Sequence, residues 1–125
     1  MKSLPIILVV LLAAVFFTQK NGGGYKSIPQ DKAKEMMDSG NVIILDVREQ
    51  SEYDSGHIKD AVLLPVGTIN TDTAASVINS KDSVVLVYCR SGNRSKKASA
   101  ALAKLGYTNI YEFGGITSWM YGVEY

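Results

Sequence analysis

The run Val84 to Tyr88, VVLVY, restricts the folds open to this chain more than any other stretch. Every residue is apolar and most are β-branched, with no polar alternation, so the run reads as a strand buried on both faces, as in a parallel sheet. Beyond it, Ala98, Ala101, Leu102 and Leu105 recur at helical spacing, and Gly106 follows where a helix C-cap is expected. The chain therefore runs strand, tight loop, helix. In such a unit the loop lies at the carboxyl end of a strand, where its N–H groups and the open helix N-terminus converge on one point. That point suits an anion.

The remaining segments repeat this alternation. YKSI, from Tyr25, reads as a short strand, and PQDKAKEMMDSG as a helix with Pro29 in its first turn and Gly40 at its end, Met36 and Met37 packing inward. NVIILDVRE is a second buried strand whose carboxyl end delivers Asp46 and Arg48. QSEYDSGHI reads as one or two helical turns closed by Gly56, AVLLP as a strand ended by Pro65, and GTINTDTAASVINS as a loop and short helix. NIYEF is the last strand, Gly114 and Gly115 a tight turn, and ITSWMYG a terminal helix with Trp119 as a packing anchor. Five short strands alternating with helices imply an α/β domain, a small five-stranded parallel sheet with helices on both faces.

The loop after VVLVY begins with Cys89, the single cysteine of the chain, followed by Arg90, Ser91, Gly92, Asn93, Arg94 and Ser95. Loop N–H groups and two arginines favour the thiolate, so the thiol pKa is expected below its ordinary value of about 8.5. A cysteine in that setting is a nucleophile rather than a buried hydrophobe. No metal or other cofactor is expected, because one Cys and one His with no CxxC or HxxxH spacing cannot supply a four-ligand zinc site. His57 precedes a different strand and is expected to be structural, hydrogen-bonded in a turn.

The chain has 125 residues, 46% of them hydrophobic, with thirteen Lys and Arg against twelve Asp and Glu. That balance fits one globular domain plus an appendage and gives no reason to expect nucleic acid binding; Lys96 and Lys97 read as a solvated helix start. The appendage is residues 1–24. Lys2 precedes fourteen apolar residues from Leu4 to Phe17, and a Gly-rich break follows. The run is shorter than a comfortable span of about 20 residues, and no Ala-x-Ala ends it, so a signal peptide and an uncleaved membrane anchor both remain open. Either places the domain, residues 25–125, outside the cytoplasm or at a membrane through residues 4–17. A lone cysteine in an oxidising compartment has no internal disulfide partner and stays free for chemistry.

VIILDVREQSEYDSGHIKDAVLLP followed by VVLVYCRSGNRSKKASAALAKLGYTNIYEFGGITSW resembles the rhodanese-like (thiosulfate sulfurtransferase) family over residues 25 to 121. The D-V-R-E, G-H-I, C-R-S-G-N-R and G-G-I-x-x-W segments carry the resemblance, and the leader makes the chain similar to small exported or membrane-tethered single-domain members. The resemblance implies a sulfurtransferase in which Cys89 takes a sulfane sulfur from thiosulfate or a similar donor, becomes a persulfide and passes it to cyanide or a thiol. Arg90 and Arg94 would hold the sulfonate, Ser91, Gly92 and Asn93 would supply backbone donors, Asp46 would brace the loop, and Arg48 and Ser95 would support it. A monomer is expected. Two other functions share these residues: a persulfide carrier that serves a partner protein, and a phosphatase or arsenate reductase. Cys89 and Arg94 are separated by four residues, whereas phosphatases that resemble this family have five, and by resemblance the tighter ring suits a sulfur atom rather than a phosphate.

Overall fold

The computed structural model describes residues 24–125; the apolar run Leu4 to Phe17 lies outside the described residues. In chain order the elements are β1 (Lys26–Ser27), α1 (Gln30–Ser39), β2 (Val42–Asp46), α2 (Gln50–Asp54), β3 (Val62–Leu63), α3 (Thr71–Val77), β4 (Val84–Cys89), α4 (Asn93–Lys104) and β5 (Asn109–Gly115). The five strands form one sheet in the order β1-β5-β4-β2-β3, with every pair parallel. β4 is the middle strand, flanked by β2 and β5, which is why its sequence is apolar throughout.

Side chains alternate across a strand, and here that parity sorts the chemistry. Val85, Val87 and Cys89 face the same side as Ala98 and Leu102 of α4 and Ala74 of α3. Leu86 and Tyr88 face the opposite side, with Ala33 of α1, Ile58 and Phe113. Helices thus cover both faces. Each fully buried Leu, Ile or Val contributes about 1.5–3 kcal/mol through loss of apolar surface to water, so the sheet that carries Cys89 is anchored from both sides.

The ends of α4 follow from its sequence. Gly92 is its N-cap, and beyond Leu105 the Gly106 and Tyr107 N–H groups donate back to Ala103 and Leu102, closing the helix by the Schellman arrangement. α2 begins with a reciprocal capping box between Glu49 and Glu52.

Two sequence expectations are corrected at the carboxyl end. Gly114 and Gly115 do not form a tight turn; β5 runs through both, with its register against β4 shifting between Val87 and Cys89. The segment ITSWMYG is not a helix but a single 3-10 turn, Ile116–Ser118. Its residues are largely β-branched or aromatic and it is too short to hold a helix without strong packing. Pro29 also stands one position earlier than expected, as the N-cap of α1. Trp119 packs beside Phe113, with ring centroids 5.5 Å apart, and its indole N–H donates to the Gly122 carbonyl.

The cysteine loop as a candidate active site

Cys89 ends β4 and is 1% exposed. Its Sγ receives the Gly92 N–H at 3.0 Å and lies 3.5 Å from Ser95 Oγ. Gly92 holds φ at +112°, a left-handed conformation that turns its N–H back toward the sulfur and is open to glycine at little cost. Burial pushes the thiol pKa up, but the hydrogen bond from Ser95 and the N–H groups of Ser95, Gly92 and Ser91 outweigh it, and the net direction is down. The donors that do this are the loop and Ser95.

The two arginines are placed differently. Arg90 is exposed and its side chain has no partner among the described residues, while its carbonyl is held by Thr117 N–H and Oγ1 at 3.2 and 3.1 Å. Gly115 crosses this carbonyl so closely that a Cβ there would stand 2.0 Å from Arg90 O. Arg94 donates two parallel bonds to Glu52, at 2.7 and 2.9 Å. This bidentate guanidinium contact holds the Glu52 carboxyl at about 2, well below the ordinary 4.5. Ser91 and Asn93 are exposed at the rim, and Ser95 is fully buried.

Asp46 and Arg48, at the carboxyl end of β2, are 0% and 5% exposed, so their pair is a buried one. Arg48 Nε and Nη2 reach the two Asp46 oxygens at 2.9 and 2.7 Å, and Nη2 also donates to the Gly56 carbonyl at 2.7 Å. Tyr88 Oη donates to Asp46 Oδ2 at 2.6 Å and accepts the Ile58 N–H at 3.0 Å. None of the Asp46 bonds reaches residues 90–95. Asp46 instead ties β2 to Tyr88 and, through Arg48, to the turn at Gly56. Burial pushes the Tyr88 hydroxyl far up, and the bond to Asp46 adds to it, so it stays a donor.

His57 is stacked on Tyr53 at 3.7 Å between ring centroids, with Nδ1 2.9 Å from the Tyr53 carbonyl, and its backbone pairs with Glu124. Its hydrogen bonds do not involve Cys89.

Glu112, in the middle of β5, was not among the residues singled out from the sequence. It is 2% exposed and lies on the same face as Cys89. Its Oε2 accepts from Ser95 Oγ at 2.7 Å and from the Gly114 N–H at 2.7 Å, while Oε1 accepts from Ser27 Oγ at 3.0 Å and pairs with Lys96 at 3.7 Å. Ser95 thus stands between a buried carboxylate and the sulfur. The signal in the sequence is a lone acid within the apolar strand NIYEF, where a charge is kept only if partnered.

A buried, hydrogen-bonded sulfur at the carboxyl end of the central strand defines a class, the α/β domains that hold a cysteine in a strand-to-helix loop. Residues 29–121 match the rhodanese-like domain family, and the chain belongs to that family. Among solved structures it is similar to a protein from Bacillus halodurans (TM-score 0.67, 31% identity, covering 77% of this chain and 71% of that one). It is also similar to a rhodanese-like domain protein from Staphylococcus aureus (TM-score 0.63, 32% identity, covering 79% and 96%). A rhodanese from E. coli, solved with anions, aligns at TM-score 0.58 and 28% identity over 64% of this chain and 92% of that one. Among curated proteins, the tRNA uridine(34) hydroxylase of Yersinia pestis is 30% identical over 102 residues, 79% of this chain. The chain spans about a quarter of the length of such relatives, 28% in that case.

Proposed function

We propose that the domain is a sulfurtransferase that moves sulfane sulfur through Cys89. The thiolate attacks the outer sulfur of a donor such as thiosulfate. The bond from that sulfur to the sulfonate breaks, its electron pair leaves with sulfite, and Cys89 holds a persulfide. A thiophilic acceptor, cyanide or a thiolate, then attacks the terminal sulfur, and the electron pair of the S–S bond returns to Sγ. No outside oxidant or reductant enters.

The observation that carries this reading is the surrounding of Sγ: the Gly92 N–H at 3.0 Å and Ser95 Oγ at 3.5 Å stand where negative charge rests on the thiolate and where it returns on discharge. Arg90, Ser91, Asn93 and Arg94 form the rim that the donor's oxygens would meet, and Asp46 and Arg48 hold the strand end beneath. The four residues between Cys89 and Arg94 support sulfur rather than phosphate as the group the ring accepts.

Steady-state turnover of thiosulfate with cyanide tests the proposal. The unaltered protein is expected to form thiocyanate, Cys89→Ser to form none, and neither to hydrolyse an aryl phosphate. Phosphate-ester turnover that depends on Cys89, without thiocyanate, would replace this reading with the phosphatase one.

A further inference from the structure

The geometry points to Glu52 as a specificity-determining residue: its carboxylate occupies Arg94 and sets the cysteine loop against dianionic donors, in favour of sulfane-sulfur donors carrying a single charge. This deepens the sulfur-transfer reading and rests on it.

Two cations at the loop are already matched by carboxylates. Arg94 is held by both Glu52 oxygens, at 2.7 and 2.9 Å. Lys96, whose Nζ stands 3.6 Å from the position a Cβ would take on Gly92, is paired with Glu112 at 3.7 Å. Arg90 keeps an exposed side chain with no partner among the described residues. Counting Arg90, Arg94 and Lys96 against Glu49, Glu52 and Glu112 leaves no net charge, and the Cys89 thiolate makes the rim negative by one. A dianion arriving at this rim must either displace Glu52 from Arg94 or be held beside it.

Glu52 does not give way readily. Its Oε1 also accepts the Glu49 N–H at 3.0 Å, as half of the capping box of α2, so the carboxylate is fixed by two elements at once. Glu49 adds a second negative charge whose field reaches Arg94. A donor with one charge fewer meets less of this repulsion, because the energy scales with the product of the charges.

Thiosulfate and methanethiosulfonate make the comparison. Both present a terminal sulfur on a tetrahedral sulfonyl group, and they differ by one negative charge. Transfer to Cys89 releases sulfite from the first and methanesulfinate from the second. Glu52→Gln removes the charge and keeps the cap, since Gln serves at the third position of a capping box as Glu does. The expected result is that E52Q lowers KM for thiosulfate by about fivefold, shifts KM for methanethiosulfonate distinctly less, and leaves kcat nearly unchanged. Glu52→Asp, which retains the charge, is expected to keep the original preference for the singly charged donor. Equal movement of both donors in E52Q, or a thiosulfate KM that stays put or rises, overturns the assignment of Glu52 while sulfur transfer stands. Failure of both donors to load Cys89 in the unaltered protein overturns the sulfur-transfer reading and this one with it.

Discussion

Ser95 carries more of the site than its small side chain suggests. Its hydroxyl has one proton and several claimants: Glu112 Oε2 at 2.7 Å, the Gly92 carbonyl at 2.9 Å and the Cys89 sulfur at 3.5 Å. When Cys89 is a thiol, its S–H can donate to Ser95 while Ser95 donates to Glu112; when it is a thiolate, the Ser95 proton is the one side-chain donor at the sulfur among the described residues. The Cys89 pKa is lowered, so the thiolate is populated at lower pH than for a free thiol, and removing a donor must raise it again. Ser95→Ala is therefore expected to shift the pH profile of Cys89 alkylation upward and to slow alkylation near neutrality by about tenfold, the size of one charge-assisted hydrogen bond. Ser95→Thr, which keeps the hydroxyl, should restore the profile. An unchanged profile in the alanine variant would assign the lowering to the backbone N–H groups alone. Cys89 itself was legible in the sequence because a thiol placed after an unbroken apolar run and before glycine and arginine can hardly be elsewhere than at a strand end. The pairings of Arg94 with Glu52 and of Ser95 with Glu112 were not legible, since each joins residues that only the folded sheet brings together.

At the scale of the elements, the carboxyl end of β5 governs the loop as much as β4 and α4 do. Gly115 passes over the Arg90 carbonyl with no room for a methyl group, and the adjoining turn pins that carbonyl through Thr117. Gln30 of α1 donates to the Phe113 and Gly115 carbonyls at 3.1 and 2.9 Å and fixes β5 from the other side. Gly115→Ala is expected to destabilise the domain by about 2 kcal/mol or more, as overpacking against rigid backbone does, measured by urea unfolding. Sulfur transfer should fall further than the loss of folded protein explains, because the loop must shift. A variant as stable and active as the parent would mean that the crossing relaxes without consequence. The order of strands and helices was readable from the sequence because β2, β4 and β5 are compact, largely apolar runs separated by segments of helical spacing. The end of the chain was not. Two adjacent glycines look the same whether they make a turn or a close crossing, and the deciding atom, the carbonyl of Arg90, lies 25 residues earlier in the chain.

Over the whole molecule, the sheet order places β4 between β2 and β5 and so brings two buried acids to the two sides of one strand end. Asp46 works on the face of Tyr88, locking β2 to the segment Gly56 to Ile58. Glu112 works on the face of Cys89, locking β5 to the start of α4. Both carboxylates are buried and satisfied, so removing a partner from either leaves a charge in the interior and is costly. The sulfur of Cys89 is thereby held in place by three parallel strands and one helix, while Arg90, Ser91 and Asn93 stay exposed at the rim, where the proposed donor would arrive. Intact-mass measurement of the domain after exposure to thiosulfate or methanethiosulfonate tests most directly the proposal that this frame carries sulfur on Cys89. A gain of about 32 mass units, the mark of a persulfide, is predicted for the unaltered protein, removed by cyanide and absent from Cys89→Ser; an unchanged mass under both donors, or the same gain without Cys89, would show that Cys89 does not carry sulfur.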